Sequence, residues 1–227
     1  MARTVDPAAH ELRRDAFVDV ALRLMTIKGY DRMSIQDVLD DAGASRGAFY
    51  HYFDSKATLR EAVLERMVDA ATATVGPIVD DPDLSALAKL DGLFSGIARW
   101  KGERTDLLIG VLEAWMADEN AIVRDRYRQV VTRRMTPILA RIVEQGQAEG
   151  VFTTTDAQSA ARVLAALILA VNDTALELYY ARQARAVSFE DVERQFAAFA
   201  DAYERILGLP PSTWPTPDPA ILRQWFG

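Results

Sequence analysis

An arginine, a glycine, an alanine, a tyrosine and a histidine crowd the short run Ser45-Arg-Gly-Ala-Phe-Tyr-His51. Wound as a helix, this run sets Phe49 and Phe53 at i, i+4 on one side, with Arg46 and Tyr50 on a second stripe and Gly47 and His51 on a third. The phenylalanines suit a core, so the other two stripes point away from it. Their chemistry fits a DNA duplex. The Arg46 guanidinium is shaped to donate twice, to O6 and N7 of guanine. Gly47 and Ala48 leave room for close approach, and the Ala48 methyl matches a thymine methyl. Tyr50 and His51 bring donors for phosphate oxygens. Ser34, Ser45 and Lys56 fall at expected helix N-termini, where free backbone N–H groups and the positive dipole end favour phosphate. A lysine there opposes the dipole, and a bound phosphate would offset that. Each of these residues alone would be an ordinary surface or capping residue. Together they make a candidate DNA-reading set.

Such a set needs short helices to position it. Phe17, Val20, Ala21, Leu24 and Ile27 follow a helical stripe that Gly29 can stop. Ser34 can cap a second helix bearing Ile35, Val38, Leu39 and Ala42 on one face. Ala42-Gly43-Ala44 then makes a tight turn, in which Gly43 tolerates positive φ. Ser45 opens a third helix ending near Phe53, and Asp54 or Ser55 caps a fourth carrying Leu59, Val63, Leu64 and Met67. Two short helices joined by a tight turn are the geometry of a helix-turn-helix, whose second helix enters a major groove about 12 Å wide.

Residues 29–64, GYDRMSIQDVLDDAGASRGAFYHYFDSKATLREAVL, resemble the N-terminal signature of TetR-family regulators. The Gly-Tyr ending the first helix, the Ser-Ile start, Ala-Gly-Ala-Ser, the Phe-Tyr-His-Tyr-Phe run and the Ser-Lys opening carry the likeness. Ala48 departs from it, since such regulators often have a hydroxyl there. The resemblance implies a homodimer in which each subunit has a small DNA-binding head and a larger helical body that takes an inducer. It implies double-stranded operator DNA as a partner and a ligand-responsive repressor as the function.

Beyond Pro77 and Pro82 the apolar spacing stays helical, over 83–101, 104–117, 120–149, 156–183 and 188–207. Pro137 should kink the third of these or break it. Thr155-Asp-Ala-Gln158 fits a capping box and Gly150 a helix stop. The fold class is therefore all-α: a three-helix helix-turn-helix domain over 1–56, a helical ligand-binding and dimerisation domain over 57–207, and a proline-rich tail over 208–227. Trp214, Trp225 and Phe226 make that tail apolar enough to dock on the body. In the body, Asn172-Asp173 interrupts the apolar run VLAALILAV, so the pair meets a partner or lines a cavity. With Trp100 and Trp115 it forms the candidate site for a small, largely apolar ligand. Leu164, Ile168, Val171, Ala175 and Leu178 keep spacings of 4, 3, 4 and 3, as do Val192, Phe196, Phe199, Tyr203 and Ile206. Two such stripes per subunit would make a four-helix dimer interface.

Composition sets the outer bounds. Half of the 227 residues are hydrophobic, enough for a substantial core. The net charge of −7 is unusual for a DNA binder, yet residues 1–60 balance nine basic against nine acidic residues. Screening over ~8–10 Å makes that local balance the relevant one. The absence of cysteine excludes disulfides and thiolate metal sites. The two histidines, His10 and His51, have no metal-ligand spacing, and no phosphate loop or nucleophile elbow occurs. No cofactor, metal or catalytic residue is expected. The mixed polar N-terminus lacks a signal-peptide core, and no apolar run of ~20 residues calls for a membrane. The expected location is the cytoplasm. Two rivals remain: a helical small-molecule-binding protein without operator control, and an activator of the same fold. An all-α enzyme is disfavoured by the scarcity of titratable groups.

Overall fold

The computed structural model describes residues 7–28, 32–105, 108, 121–214 and 219–227. Every regular element among them is a helix: α1 (Pro7–Lys28), α2 (Ile35–Ala42), α3 (Arg46–Tyr50), α4 (Lys56–Ala73), α5 (Gly76–Asp80), α6 (Ala86–Gly102), α7 (Ala121–Ala148), α8 (Ala157–Gln183), α9 (Phe189–Leu207) and α10 (Pro219–Phe226). They form two compact units. One holds the described residues up to Val68 and within Asp106–Tyr127, the other Asp69–Thr105 and Arg128–Gly227.

In the first unit, α1 buries Phe17, Val18, Val20, Ala21, Leu24 and Met25. Ile27, expected on this stripe, is 70% exposed. At 100° per residue it has rotated past the edge of the arc that Phe17 and Leu24 share, and Met25 fills the core instead. The expected stop at Gly29 lies outside the described residues. Ser34 opens α2 in a reciprocal capping box: its Oγ accepts the Asp37 N–H at 3.1 Å and its own N–H donates to Asp37 Oδ2 at 2.8 Å. Lys28 Nζ donates to the other Asp37 oxygen at 2.6 Å, tying the end of α1 to the start of α2. That lysine, with the Ser34 bonds, holds the Asp37 carboxyl well below the usual carboxylate range. Ser55, not Asp54, caps α4: its Oγ accepts the Thr58 N–H at 3.2 Å, and Thr58 Oγ1 accepts the Ser55 N–H at 3.1 Å. Leu59, Val63, Leu64 and Met67 of α4 are buried as expected, and Arg66 reaches Asp15 and Asp19 of α1 at 2.7 and 2.8 Å.

After the last residues of α4, the second unit continues with α5, a helix the proline pattern hides. Pro77 sits in its first turn, where no backbone donor is needed. Small residues let α5 lie close on α6, since a Cβ added to Gly92 would stand 2.8 Å from Ile78 Cγ2. α7 runs unbroken through Pro137. The expected helix at 104–117 lies largely outside the described residues. α8 is capped by Asp156, whose carboxylate accepts the Ser159 N–H at 2.6 Å. The Thr155–Gln158 capping box does not form, because the carboxylate one residue later is the stronger acceptor. α9 begins in a second capping box, Ser188 with Asp191, and ends at Gly208 with φ 68°. α8 packs along α9. By length and composition α8 could cross a bilayer, but Asn172, Asp173 and Glu177 interrupt it.

The tail is docked, as its aromatic residues suggest. Leu209, Trp214, Leu222 and Phe226 are buried. Trp214 stacks on Tyr203 at 5.5 Å and meets Phe94 edge-on at 5.3 Å. α10 lays Leu222 and Phe226 on Val192 of α9, with Ala175, Leu178 and Phe196 around them.

Candidate nucleic-acid interface

The second described helix of the first unit ends at Gly43, whose φ of 58° is the left-handed conformation the turn requires. Two residues later Ser45 restarts the chain as α3, its Oγ accepting the Ala48 N–H at 3.2 Å. Helical hydrogen bonds continue past Tyr50, with the Phe53 N–H donating to Phe49 O at 3.0 Å. The α2–turn–α3 segment is thus a helix-turn-helix by backbone geometry alone.

Packing fixes which way α3 faces. Phe49 is fully buried and Phe53 nearly so, and both meet the Phe17 ring of α1 edge to face, at centroid distances of 5.7 and 6.3 Å. The Arg14 guanidinium lies 5.4 Å over Phe53. With that side inward, Arg46, Gly47, Tyr50 and His51 are exposed, and Ala48 is half-buried. Tyr50 is a large aromatic left 49% exposed beside its buried neighbour Phe49. Ser34 and Ser45 are exposed at their caps, and Lys56 is partly exposed at the start of α4. The eight candidate DNA-contacting residues therefore share one unit, six of them exposed and Ala48 and Lys56 half-buried.

His10 is a residue that spacing alone does not reveal. It projects from α1 to meet His51 at 5.4 Å and Tyr52 at 4.6 Å, so it props the end of the reading helix from behind. A histidine seven residues before Phe17 on the same helix is the sole signal for it.

Two family models match this chain. "Bacterial regulatory proteins, tetR family" matches residues 17–63, the segment that carries the helix-turn-helix, and "Tetracyclin repressor-like, C-terminal domain" matches residues 113–199. The chain belongs to the TetR family. Among TetR-family relatives, the HTH-type transcriptional repressor KstR2 of Mycolicibacterium smegmatis is 33% identical over 88 residues, 39% of this chain and 42% of that protein. The repressor DhaR of Mycobacterium sp. (strain GP1) is 23% identical over 137 residues, 60% of this chain and 68% of that one. The chain thus spans less than half of the length of KstR2. A TetR regulator from Haloarcula marismortui superposes with TM-score 0.58 at 25% identity, covering 87% of this chain and 97% of its own. RolR in complex with resorcinol superposes with TM-score 0.61 at 21% identity, covering 94% and 99%, a likeness of fold.

The residues expected to bind ligand divide. Trp115 lies outside the described residues. Trp100 is half-buried, with the Arg104 guanidinium 4.6 Å over its ring. Asp173 pairs with Arg128, and Asn172 Oδ1 accepts from Lys101 Nζ at 2.7 Å. The polar pair in the apolar helix therefore meets cations from two other helices of its unit.

The expected subunit-interface stripes divide as well. Leu164, Val192 and Tyr203 are buried within the protomer and have no surface left for a partner, because the tail and the α8–α9 contact cover them. Ile168, Val171, Ala175, Leu178, Phe196 and Phe199 keep partial exposure. Val163, one residue off the expected stripe, is 48% exposed.

Proposed function

We propose that this TetR-family chain is a cytoplasmic transcriptional repressor that binds a palindromic operator as a homodimer and releases it when a small, largely apolar ligand enters the second unit. The single observation that carries the DNA-binding part is the facing of α3. Phe49 and Phe53 are anchored on Phe17, which leaves Arg46, Gly47, Tyr50 and His51 outward on one short helix. A helix so presented matches a recognition helix in a major groove. The repressor names of KstR2 and DhaR favour repression, and the bound resorcinol of RolR favours a small effector.

A two-fold operator needs two heads. The part-exposed apolar residues of α8 and α9, with Val163, are the surface offered to a second copy. A ligand that favours a head separation unsuited to two half-sites lowers operator affinity by the difference in its affinity for the two states.

Selection from a random duplex pool, followed by salt titration on the selected site, tests the reading. A symmetric site bound two protomers at a time is expected. Recovery of no enriched sequence, with weak binding to all duplexes alike, would leave a helical binding protein without operator control.

A further inference from the structure

The chain holds two histidines, and the fold brings their rings together. His10 of α1 meets His51, the C-cap of α3, edge-on at a centroid distance of 5.4 Å. Tyr52 fixes the pair: its ring lies 4.6 Å from His10, 5.0 Å from His51 and 5.8 Å from the core ring of Phe17. His10 is half-buried and His51 is exposed. Among the described residues no carboxylate joins them in a three-ligand group fit for a metal ion. Their chemistry is therefore hydrogen bonding and proton binding.

An imidazole is the side chain whose charge changes nearest neutral pH, and charge on one ring disfavours charge on a neighbouring ring. The charged groups on the elements that carry and adjoin the pair are mostly cations. Near His10 on α1 stand Glu11, Arg13 and Arg14, and the Arg14 guanidinium lies over Phe53. Arg46 belongs to α3, Asp54 to the turn after it, and Lys56 and Arg60 to α4. Asp15 and Asp19, farther along α1, are engaged by Arg66. The negative charge that favours two imidazolium rings side by side must come from outside the protein. A DNA phosphate supplies it.

We propose that His10 and His51 make DNA binding proton-linked: His51 donates to a backbone phosphate, and His10, behind it, is the positioning residue whose own protonation strengthens that contact. This deepens the DNA-binding reading above and rests on it. Each head then takes up a proton from solvent as it binds, so affinity rises as pH falls through the imidazole range. Linkage requires the converse as well: bound DNA makes the two rings hold their protons to higher pH.

Duplex affinity measured from about pH 8 to about pH 5.5 at fixed ionic strength tests this. The selected operator and a random-sequence duplex of equal length are the probes. Full-length wild type is compared with His51→Gln, His10→Gln and His10→Phe. The phenylalanine variant keeps an aromatic ring against His51 and Tyr52 but cannot titrate, so it separates charge from packing. Wild type is expected to gain at least about five-fold in affinity for both duplexes across this range, and each variant to lose about half of that gain or more. Imidazole Cε1–H signals give a direct reading, because the chain has two histidines to follow. Their titration midpoints in wild type are expected to rise by about half a pH unit or more when the duplex is added. A gain that persists in full in His10→Phe reduces His10 to a packing residue and overturns the proposal. A flat wild-type profile, or midpoints that DNA leaves in place, overturns it while DNA binding stands. No binding to any duplex at any pH removes the DNA-binding reading, and the proposal with it.

Discussion

The buried carboxylate of Glu204 accepts the Trp214 backbone N–H at 2.7 Å, and with its other oxygen it accepts the Ser212 N–H at 3.1 Å. One side chain of α9 thus satisfies two backbone donors of the tail just where the tail turns down onto Tyr203 and Phe94. Hydrogen bonds to a charged acceptor contribute about 1.5–3 kcal/mol each when buried. Glu204→Ala is expected to destabilise the protein by about 2–4 kcal/mol. It is also expected to speed amide hydrogen exchange in 209–214 well before the helices of the unit open. A variant melting like wild type, with unchanged exchange there, would show that the tail is held by its apolar contacts alone.

Gly146 of α7 is a place where packing requires the absence of a side chain. A Cβ there would stand 2.0 Å from Phe152 Cδ2, and Phe152 is buried, 3% exposed. The ring cannot swing out without opening the core beneath the α7–α8 turn. Gly146→Ala is expected to cost about 1–3 kcal/mol by overpacking, despite the better helix propensity of alanine. Pairing it with Phe152→Leu should recover part of the loss, which denaturant titration of the four proteins measures as a coupling.

Much of this architecture is legible in the sequence because local chemistry decides it. Ser34, Gly43 and Ser45 fix the caps and the turn of the helix-turn-helix, and Phe49 with Phe53 fix its facing. Those are neighbours within a few residues, which periodicity and capping rules read directly. The reading fails where distant segments compete for one stripe. Val192 and Phe196 follow an interface-like spacing, but Leu222 and Phe226, about thirty positions after them, fold back to bury Val192 and leave Phe196 only partly exposed. No spacing distinguishes an apolar stripe that awaits a second subunit from one covered by its own tail. The Lys101–Asn172 contact is hidden for the same reason: a lysine at the end of a helix reads as solvated until the fold sets an amide against it. Thr155 and Asp156 show the narrower limit, in which two adjacent caps are both plausible and one acceptor wins.

Lys101 also predicts a pH response. Its pKa is lowered from 10.5 to about 8 in the folded protein by desolvation. Between those values the unfolded chain holds a proton that the folded chain has released, so stability contributed by this group rises with pH across that window. The full rise is of order 3 kcal/mol. Tyr203 acts the other way above its ordinary value of 10, because burial raises its pKa and keeps it neutral while the unfolded phenol ionises. The difference between wild type and Lys101→Met removes that opposing contribution. Wild type is therefore expected to gain on the variant steadily from pH 7.5 to 10 in chemical denaturation. A difference that stays flat would mean that the ammonium is solvated.

Arg46 and Lys56 should part company on DNA. Arg46 is exposed at the N-terminus of α3, the end that approaches base edges in this geometry, and its forked guanidinium suits guanine. Arg46→Ala is expected to cost about 1–3 kcal/mol per lost bidentate contact and to relax preference at one base pair per half-site. Lys56 begins α4, beyond the reading helix, after the Ser55 cap. It should therefore reach phosphate only, and Lys56→Ala should weaken binding to every duplex alike. The salt dependence of that variant should be shallower by about one unit per subunit, as one counterion fewer is released. Long-range field effects alone would make the two variants equivalent, each losing affinity with unchanged base preference. Salt titrations on the selected operator and on its single-base variants distinguish these outcomes. Full discrimination retained at every position by Arg46→Ala would remove that residue from base reading and shift the burden to Tyr50 and His51, which share its exposed side of α3.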